Sequence, residues 1–373
     1  LLETDKYSLG PTDQVSWRGE NRDAPVFCSQ PGTTAIFRYK RVSSVSQLLS
    51  HPEADVNENE SYSAPPAPEE MLEPPFHQKL TMISAIVFPF IGLIIAVATA
   101  WQFGWMGWSY VAMLIGGWML TGLGITVGFH RLMSHRAFET PRIVRAFWMT
   151  LGAMSVEGSP VVWSAVHRRH HAYSDKHGDP HSPHLSGDGW WGKAKGLVHA
   201  QFGWLVFDGR WSEPELDKYV PDLMKDPWML LAHRHYGWFV FASLLIPAGL
   251  GWLIGGTLFS AWLGFLWGGL VRVFVTHHIT WSINSICHVF GHRTYEAGDH
   301  STNNAICGIL GLGEGWHNNH HAFPNSARHG LQWWQFDMSW IVIRAMQSFG
   351  LAWNVKLPSK RHLASKRLAR SSS

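Results

Sequence analysis

Charge is scarce in this sequence. Only 15% of its 373 residues are Asp, Glu, Lys or Arg, against about a quarter in an ordinary soluble chain. The net charge of +3 is spread without the basic, aromatic-interleaved groove of a nucleic-acid binder, so nucleic acid is excluded as the expected partner. Cysteine is scarcer still. Cys28, Cys287 and Cys307 are odd in number and far apart, and no CxxC pair occurs, which leaves no disulfide framework and fits a reducing, cytoplasm-facing site. No HExxH is present, which removes zinc peptidases of that type. The opening thirty residues lack the basic, apolar, small-residue order of a secretory signal.

The longest absence is of charge within two stretches. From Leu80 to Phe129 there are fifty residues without Asp, Glu, Lys or Arg. A membrane-spanning helix needs about 20 apolar residues, so this run predicts two spans, near 80–100 and 108–129, broken at the Gly/Trp-rich segment Trp101–Trp108. A second run from Tyr236 continues past Arg272, with a turn expected between Gly249 and Thr257, and predicts two more. Lys79, Arg131, Arg136, Arg168, Arg169, Arg234, Arg272 and the tail Lys360-Arg361 flank the runs, whereas the hairpin tips carry no basic residue. The excess of cations on the cytoplasmic side of membrane proteins then places both termini and both long loops in the cytoplasm. The expected fold is an all-α integral membrane protein of four transmembrane helices with a cytoplasmic helical cap.

Residues 1–75 are polar and rich in Pro, Ser and Glu, a composition that predicts disorder. The first methionine is Met71, and the expectation is that much of this leader is translated upstream sequence. The membrane domain is set at residues 76–360, and 361–373 form a basic tail.

What the chain has in abundance is histidine, 23 in all, together with 22 Trp. Three clusters stand close to the cytoplasmic ends of the expected spans: His130 and His135, then His167, His170 and His171, then His317, His320 and His321. Spacing i, i+3, i+4 puts three imidazoles on one helical stripe in each of the last two clusters. His130 and His135, five apart, do not share a face of an ideal α-helix, so the first cluster is expected to straddle the end of span two and reach the metal from another direction. Neutral imidazole binds iron, zinc, copper and nickel alike. Eight ligands are too many for one ion and suit two. Asn284 and His288, i and i+4 at the end of span four, supply further candidates, with His288 as a ninth imidazole. His177, His181, His184, His277, His278, His292, His300 and His329 lack such spacing and are left out of the set. Glu314, in the only ExxH-spaced pair of these clusters, reads equally as a carboxylate orienting a histidine or as an ordinary loop acid.

These motifs closely resemble those of the membrane fatty-acid desaturase family, whose histidine boxes read HxxxxH, HxxHH and HxxHH. The resemblance spans about 75–360. Gly128-Phe-His-Arg-Leu-Met-Ser-His135, Thr280–His288 and Gly313–Pro324 look like the Δ9 acyl branch, while Asn325–Gly330 and Ala297-Gly-Asp299 lean toward its bacterial and cyanobacterial members. The resemblance implies two iron ions on nine histidines, with Asn284 reaching an iron through water. It also implies an acyl tunnel bent beside Trp163 and Thr280. No HPGG segment of a fused cytochrome b5 occurs, so the electrons are expected from a separate ferredoxin or cytochrome b5.

An unactivated methylene offers no acidic proton and no leaving group, so a metal oxidant is required. The resemblance implies that dioxygen is reduced at the irons, one hydrogen atom is removed from the chain, and its neighbour follows to leave a cis double bond. The expected substrate is a saturated acyl chain on CoA or on a membrane lipid. Trp118 and Leu114 in span two are candidates for limiting the tail beyond the metals, and Arg168, Arg169, Lys176 and Arg328 for docking the electron donor. Two rivals remain: a hydroxylase or ketolase using the same irons, and a metal transporter. Transport sites lie near the bilayer midplane, and these histidines do not.

Overall fold

The structure is a computed structural model that describes residues 26–30, 33–37, 74–104, 107–208 and 216–369. The chain divides into two units, 1–62 and 63–373.

In the first unit β1 (Val26–Gln30) and β2 (Thr33–Phe37) pair antiparallel, Val26 opposite Phe37 and Gln30 opposite Thr33. Val, Thr, Ile and Phe favour strands, and this short run escapes an average taken over a polar leader. The rest of the leader up to residue 73 lies outside the described residues, and so does the expectation of disorder there.

The second unit is helical, with no strand among its described residues. Four segments are long and apolar enough to cross a membrane: Phe76–Phe103, Trp108–Ser134, Tyr236–Gly255 and Leu258–His288. The first is α1. The second is α2 (Trp108–Leu123) continued by a π-helix, Gly124–Ser134. After them come α3 (Arg142–Ala153), α4 (Pro160–Tyr173), α5 (Gly189–Val198), α6 (Trp204–Phe207) and α7 (Pro227–Arg234). The third span is α8 (Tyr236–Gly255). The fourth joins α9 (Leu258–Gly264), a π-helix (Phe265–Val271), α10 (Arg272–Ser285) and a 3-10 turn ending at His288. The shorter α11 (Ala305–Leu310), α12 (His317–Ala322), α13 (Met338–Ser348) and α14 (Lys360–Ser365) close the chain.

The turn between the third and fourth spans is built from sequence chemistry. Gly256 ends α8 in the left-handed conformation, at φ 66°, and Thr257 opens α9 with a capping box to Ser260. The spans divide by burial. In their most apolar windows only 17% and 11% of the first and third are buried, against 39% and 50% of the second and fourth. The two buried spans therefore form the inner pair, and they carry His130, Asn284 and His288 at their ends. The peripheral pair presents Val97, Leu245 and Leu253, all more than half exposed, as a protein in lipid would.

Two flanking cations are structural. Arg131 is fully buried and paired with Asp337 at 3.0 Å and Glu314 at 3.2 Å. Arg272, 1% exposed, donates to the carbonyls of Gly268, Met154 and Ser243 at 3.0–3.2 Å. An intramembrane cation held by carbonyls ties span four to α8 and to the loop after α3.

Candidate metal centre

Close packing sets the first histidine pair. A Cβ on Gly124 would lie 2.2 Å from the Gly152 nitrogen of α3, so only glycine lets α2 and α3 approach this closely. There the helix opens into i→i+5 bonding, and the His135 N–H donates to the His130 carbonyl at 3.1 Å. A wider turn brings residue i+5 back over residue i. The two rings, with centroids 4.9 Å apart, therefore converge from one side, where an α-helix had placed them on different faces.

α4 is started by Pro160 in its first turn and by the Ser159 hydroxyl, which accepts from the Val162 N–H at 3.3 Å. It presents His167, His170 and His171. The stripes of α4 and α12 face each other but do not serve one point. His130, His135, His167, His171 and His320 form one group and His170, His288, His317 and His321 another, the ligand atoms within each lying inside 4.8 Å of one another. All nine expected imidazoles are thus brought together, in two sets. The second and third boxes split between the sets, whereas His130 and His135 of the first box both belong to the first set.

The free nitrogens point inward. Nε2–Nε2 separations are 2.7 Å for His135 and His167, 2.8 Å for His320 and His171, 3.0 Å for His130 and His320, and 3.1 Å for His317 and His288. Four of the nine rings have their outer nitrogen held by an acid. His170 Nδ1 donates to Asp179 at 3.0 Å, His288 Nδ1 to Asp175 at 2.8 Å, His321 Nδ1 to Asp299, and His130 Nδ1 to Glu314. A ring donating through Nδ1 keeps a lone pair on Nε2. Nε2 of His170 and of His321 is buried with no partner, an arrangement that costs free energy unless a cation sits between the lone pairs. The donor set fits a pair of borderline metal ions.

Electrostatics favours the ligand form. Burial drives the imidazoles of His135, His167, His171, His317, His320 and His321 well below their ordinary pKa, with repulsion among neighbouring rings adding to it, so they stand neutral. His170 is the exception. Burial lowers it too, but the Asp179 carboxylate overrides that and raises it.

Asp175, Asp179 and Asp299 were not anticipated as partners of the site. They sit in loops at no helical period from the boxes, and Ala297-Gly-Asp299 carries only a lineage signal in the sequence. Two histidines excluded on spacing also belong here by position. His329, buried, has its ring 4.5 Å from that of His320 and its Nδ1 3.6 Å from Glu314. The ring of His181 is 4.3 Å from that of His170. Both enter from loops, where spacing in sequence says nothing. The other excluded histidines lie outside the two groups; His277, for example, hydrogen-bonds the Val156 carbonyl at 2.9 Å.

An apolar cavity lies against the first group, between spans two and four. Trp118, Trp163, Thr280 and Asn284 line it beside His130 and His167. Leu114 does not. It packs one turn away with Ala96, Leu266 and Val271, where spans one, two and four close on each other. Glu157, missed in the sequence, accepts from Trp163 Nε1 at 3.3 Å and bonds Thr280, and burial pushes its carboxyl up to about 8.

Of the expected docking cations, the three arginines are engaged inside the protein, whereas Lys176 is exposed. Arg168 binds Asp222 at 2.6 Å and the carbonyls of Ser134 and Met133, Arg169 is buried, and Arg328 donates to the Gly330 and Gln332 carbonyls.

A helical membrane protein with a two-part histidine site beside an apolar cavity is the class that fold and site define. The chain belongs to the fatty acid desaturase family, whose sequence pattern matches residues 103–356. It is 44% identical over 285 residues to the hex-5-enoyl-[acyl-carrier protein] acetylenase of Moorena producens, covering 76% of this chain and 88% of that one. It is 38% identical over 273 residues to the sn-1 stearoyl-lipid 9-desaturase of Anabaena variabilis (73% and 93%). To the acyl-CoA C20 Δ5-desaturase of Anemone leveillei it is 39% identical over 241 residues (64% and 71%). The protein is an oxygen-dependent oxidoreductase of lipid metabolism.

Proposed function

We propose that this protein introduces a cis double bond at the Δ9 position of a saturated acyl chain carried by a membrane lipid or CoA, with an iron ion in each histidine group. The observation that carries the reading is the two-part set of inward lone pairs beside an apolar cavity. His130, His135, His167, His171 and His320 would hold one iron, and His170, His288, His317 and His321 the other. Asn284, lining the cavity at the edge of the second group, would reach its iron through water. When bound, the iron pair supplies the activation of dioxygen that cleaving an unactivated C–H bond requires.

The protein supplies position. Glu314, Asp175, Asp179 and Asp299 fix ring orientation and tautomer. Trp163 and Thr280, held through Glu157, form the wall that bends the acyl chain, and Trp118 bounds it further along the cavity. An apolar lining excludes water from the reacting carbons, and the length of chain that fits decides which carbon pair is presented. The basic flanks support a topology with both termini and the metal centre in the cytoplasm, and in this reading the electrons come from a ferredoxin- or cytochrome b5-type carrier.

A second reading is the removal of further hydrogens from a chain that is already unsaturated, which the likeness to an acetylenase favours. Expression in a host lacking its own desaturase, with double-bond position determined in the extracted lipids, tests both. A cis Δ9 monoene supports the first and an alkyne the second; a hydroxylated chain contradicts both.

A further inference from the structure

Resting on the reading that electrons arrive from a separate carrier, we propose that an acidic one-electron carrier protein docks on the C-terminal basic strip, over the cavity framed by Lys356, His362 and Lys366. Removing two hydrogens from the chain supplies half the electrons that reduce dioxygen to water. The remaining pair comes from two reduced carriers in turn, each oxidised by one electron, with two protons taken from solvent.

Charge is the first observation. After Asp337 the chain has no acidic residue, and Lys356, Lys360, Arg361, Lys366 and Arg367 fall within twelve positions. Lys356, Lys360 and Arg361 are exposed. The surface thereby differs from that of Arg168, Arg169 and Arg328, whose guanidinium groups are already bonded inside the protein. Two acids border the strip and are already engaged: Glu296 lies 3.7 Å from Arg293, and Glu139 accepts from Trp353 Nε1 at 2.8 Å and Asn354 Nδ2 at 2.9 Å.

Shape is the second. The strip rims a cavity of about 280 Å³ whose wall includes Phe323 and Ser326. A flat lipid surface does not fill a concave site. Nor does α14 have the broad apolar face of a helix that lies in a membrane interface: its only large apolar residue, Leu363, packs inward beside Tyr295 and Phe323.

Proximity is the third. The cavity wall is continuous with the third histidine box, since Phe323 is the second residue after His321. The ring of His362 is 4.9 Å from that of Phe323, and Lys366 Nζ donates to the Ala322 carbonyl at 2.8 Å. A carrier seated here meets the backbone that leads directly to His321, a member of the second metal group.

The test compares reductants on the full-length protein in nanodiscs. The triple variant Lys356→Glu, Lys360→Glu, Arg361→Glu leaves the packed Lys366 in place. With reduced plant-type ferredoxin as donor, its KM for ferredoxin should rise about tenfold, with the dependence of KM on ionic strength flattened, because rim charges act through attraction at a distance. With dithionite as reductant, product per chain should equal that of the parent. Lys356→Arg and Lys360→Arg, which keep the charge, should leave the parent KM unchanged. An unchanged KM overturns the proposal, as does equal loss of product with dithionite, which would assign the strip to the metal site's own structure. A defect seen in anionic-lipid nanodiscs and absent from neutral ones assigns the strip to the membrane, and also overturns it. A parent protein that makes no product with either reductant refutes the desaturase reading instead.

Discussion

Glu157 and Asp179 are both buried carboxyls, yet their surroundings drive them to opposite charge states. Asp179 lies against His170, and although burial alone would raise it, the imidazole and the N–H groups around it bring it down to about 2. Glu157 has only the neutral donors Trp163 and Thr280, its Oε1 has no partner, and burial takes it up to about 8. Its folded pKa is above its unfolded one. The uncharged form thus contributes stability that is complete below the unfolded value near 4.5 and is lost as pH rises through about 8. Glu157→Gln should therefore keep its activity at pH 7 and remove the loss of thermal stability between about pH 4.5 and 8, read as unfolding midpoints of the two proteins in detergent. Matching pH profiles would place the charge elsewhere. His167 and His320 belong to the first metal group, and replacing either with Ala should reduce unsaturated product to background while membrane-fraction abundance is unchanged; retained product would remove that residue from the ligand set.

At the scale of elements, the histidine stripes of α4 and α12 were legible because i, i+3, i+4 spacing is a property of any helix. Their division between two groups was not. It depends on how the helices face one another, which local spacing does not encode. The π-helix at Gly124–Ser134 was equally hidden. Its cause is tertiary, the near-contact of Gly124 with Gly152, and an ideal α-helix assigns His130 and His135 to different faces. Gly124→Val puts side-chain atoms where Gly152 backbone already stands. This variant should lose most of its bound iron, measured by elemental analysis, while keeping four helices' worth of circular dichroism. A parent-like iron content would disconnect this contact from the site. The carboxylates Asp175 and Asp299 were illegible for a related reason: loops bring them to His288 and His321 across 113 and 22 positions.

Across the whole molecule, the four spans could be read from charge-free length alone, with ends shifted by a few residues. Span two runs to Ser134 and span four to His288, so each inner span delivers ligands directly from its end. The proposed topology, with four crossings, puts all three boxes on the cytoplasmic side and the Gly256-Thr257 tip on the other. In right-side-out cells, a maleimide that cannot cross the membrane should label Thr257→Cys but not Lys360→Cys. Labelling of both or neither would contradict the topology. The tail strip illustrates the limit of composition: its charge was visible in the sequence, but the cavity it frames depends on Phe323 and Lys366 meeting across 43 positions.

The account rests on two metal ions held by these nine rings, and metal content tests it most directly. Protein purified anaerobically under reducing conditions after growth on iron should contain two irons per chain. His170→Ala, which strips the second group, should fall to about one by the assignment of ligands. A single zinc per chain in the parent, or two irons undiminished in the variant, would contradict it.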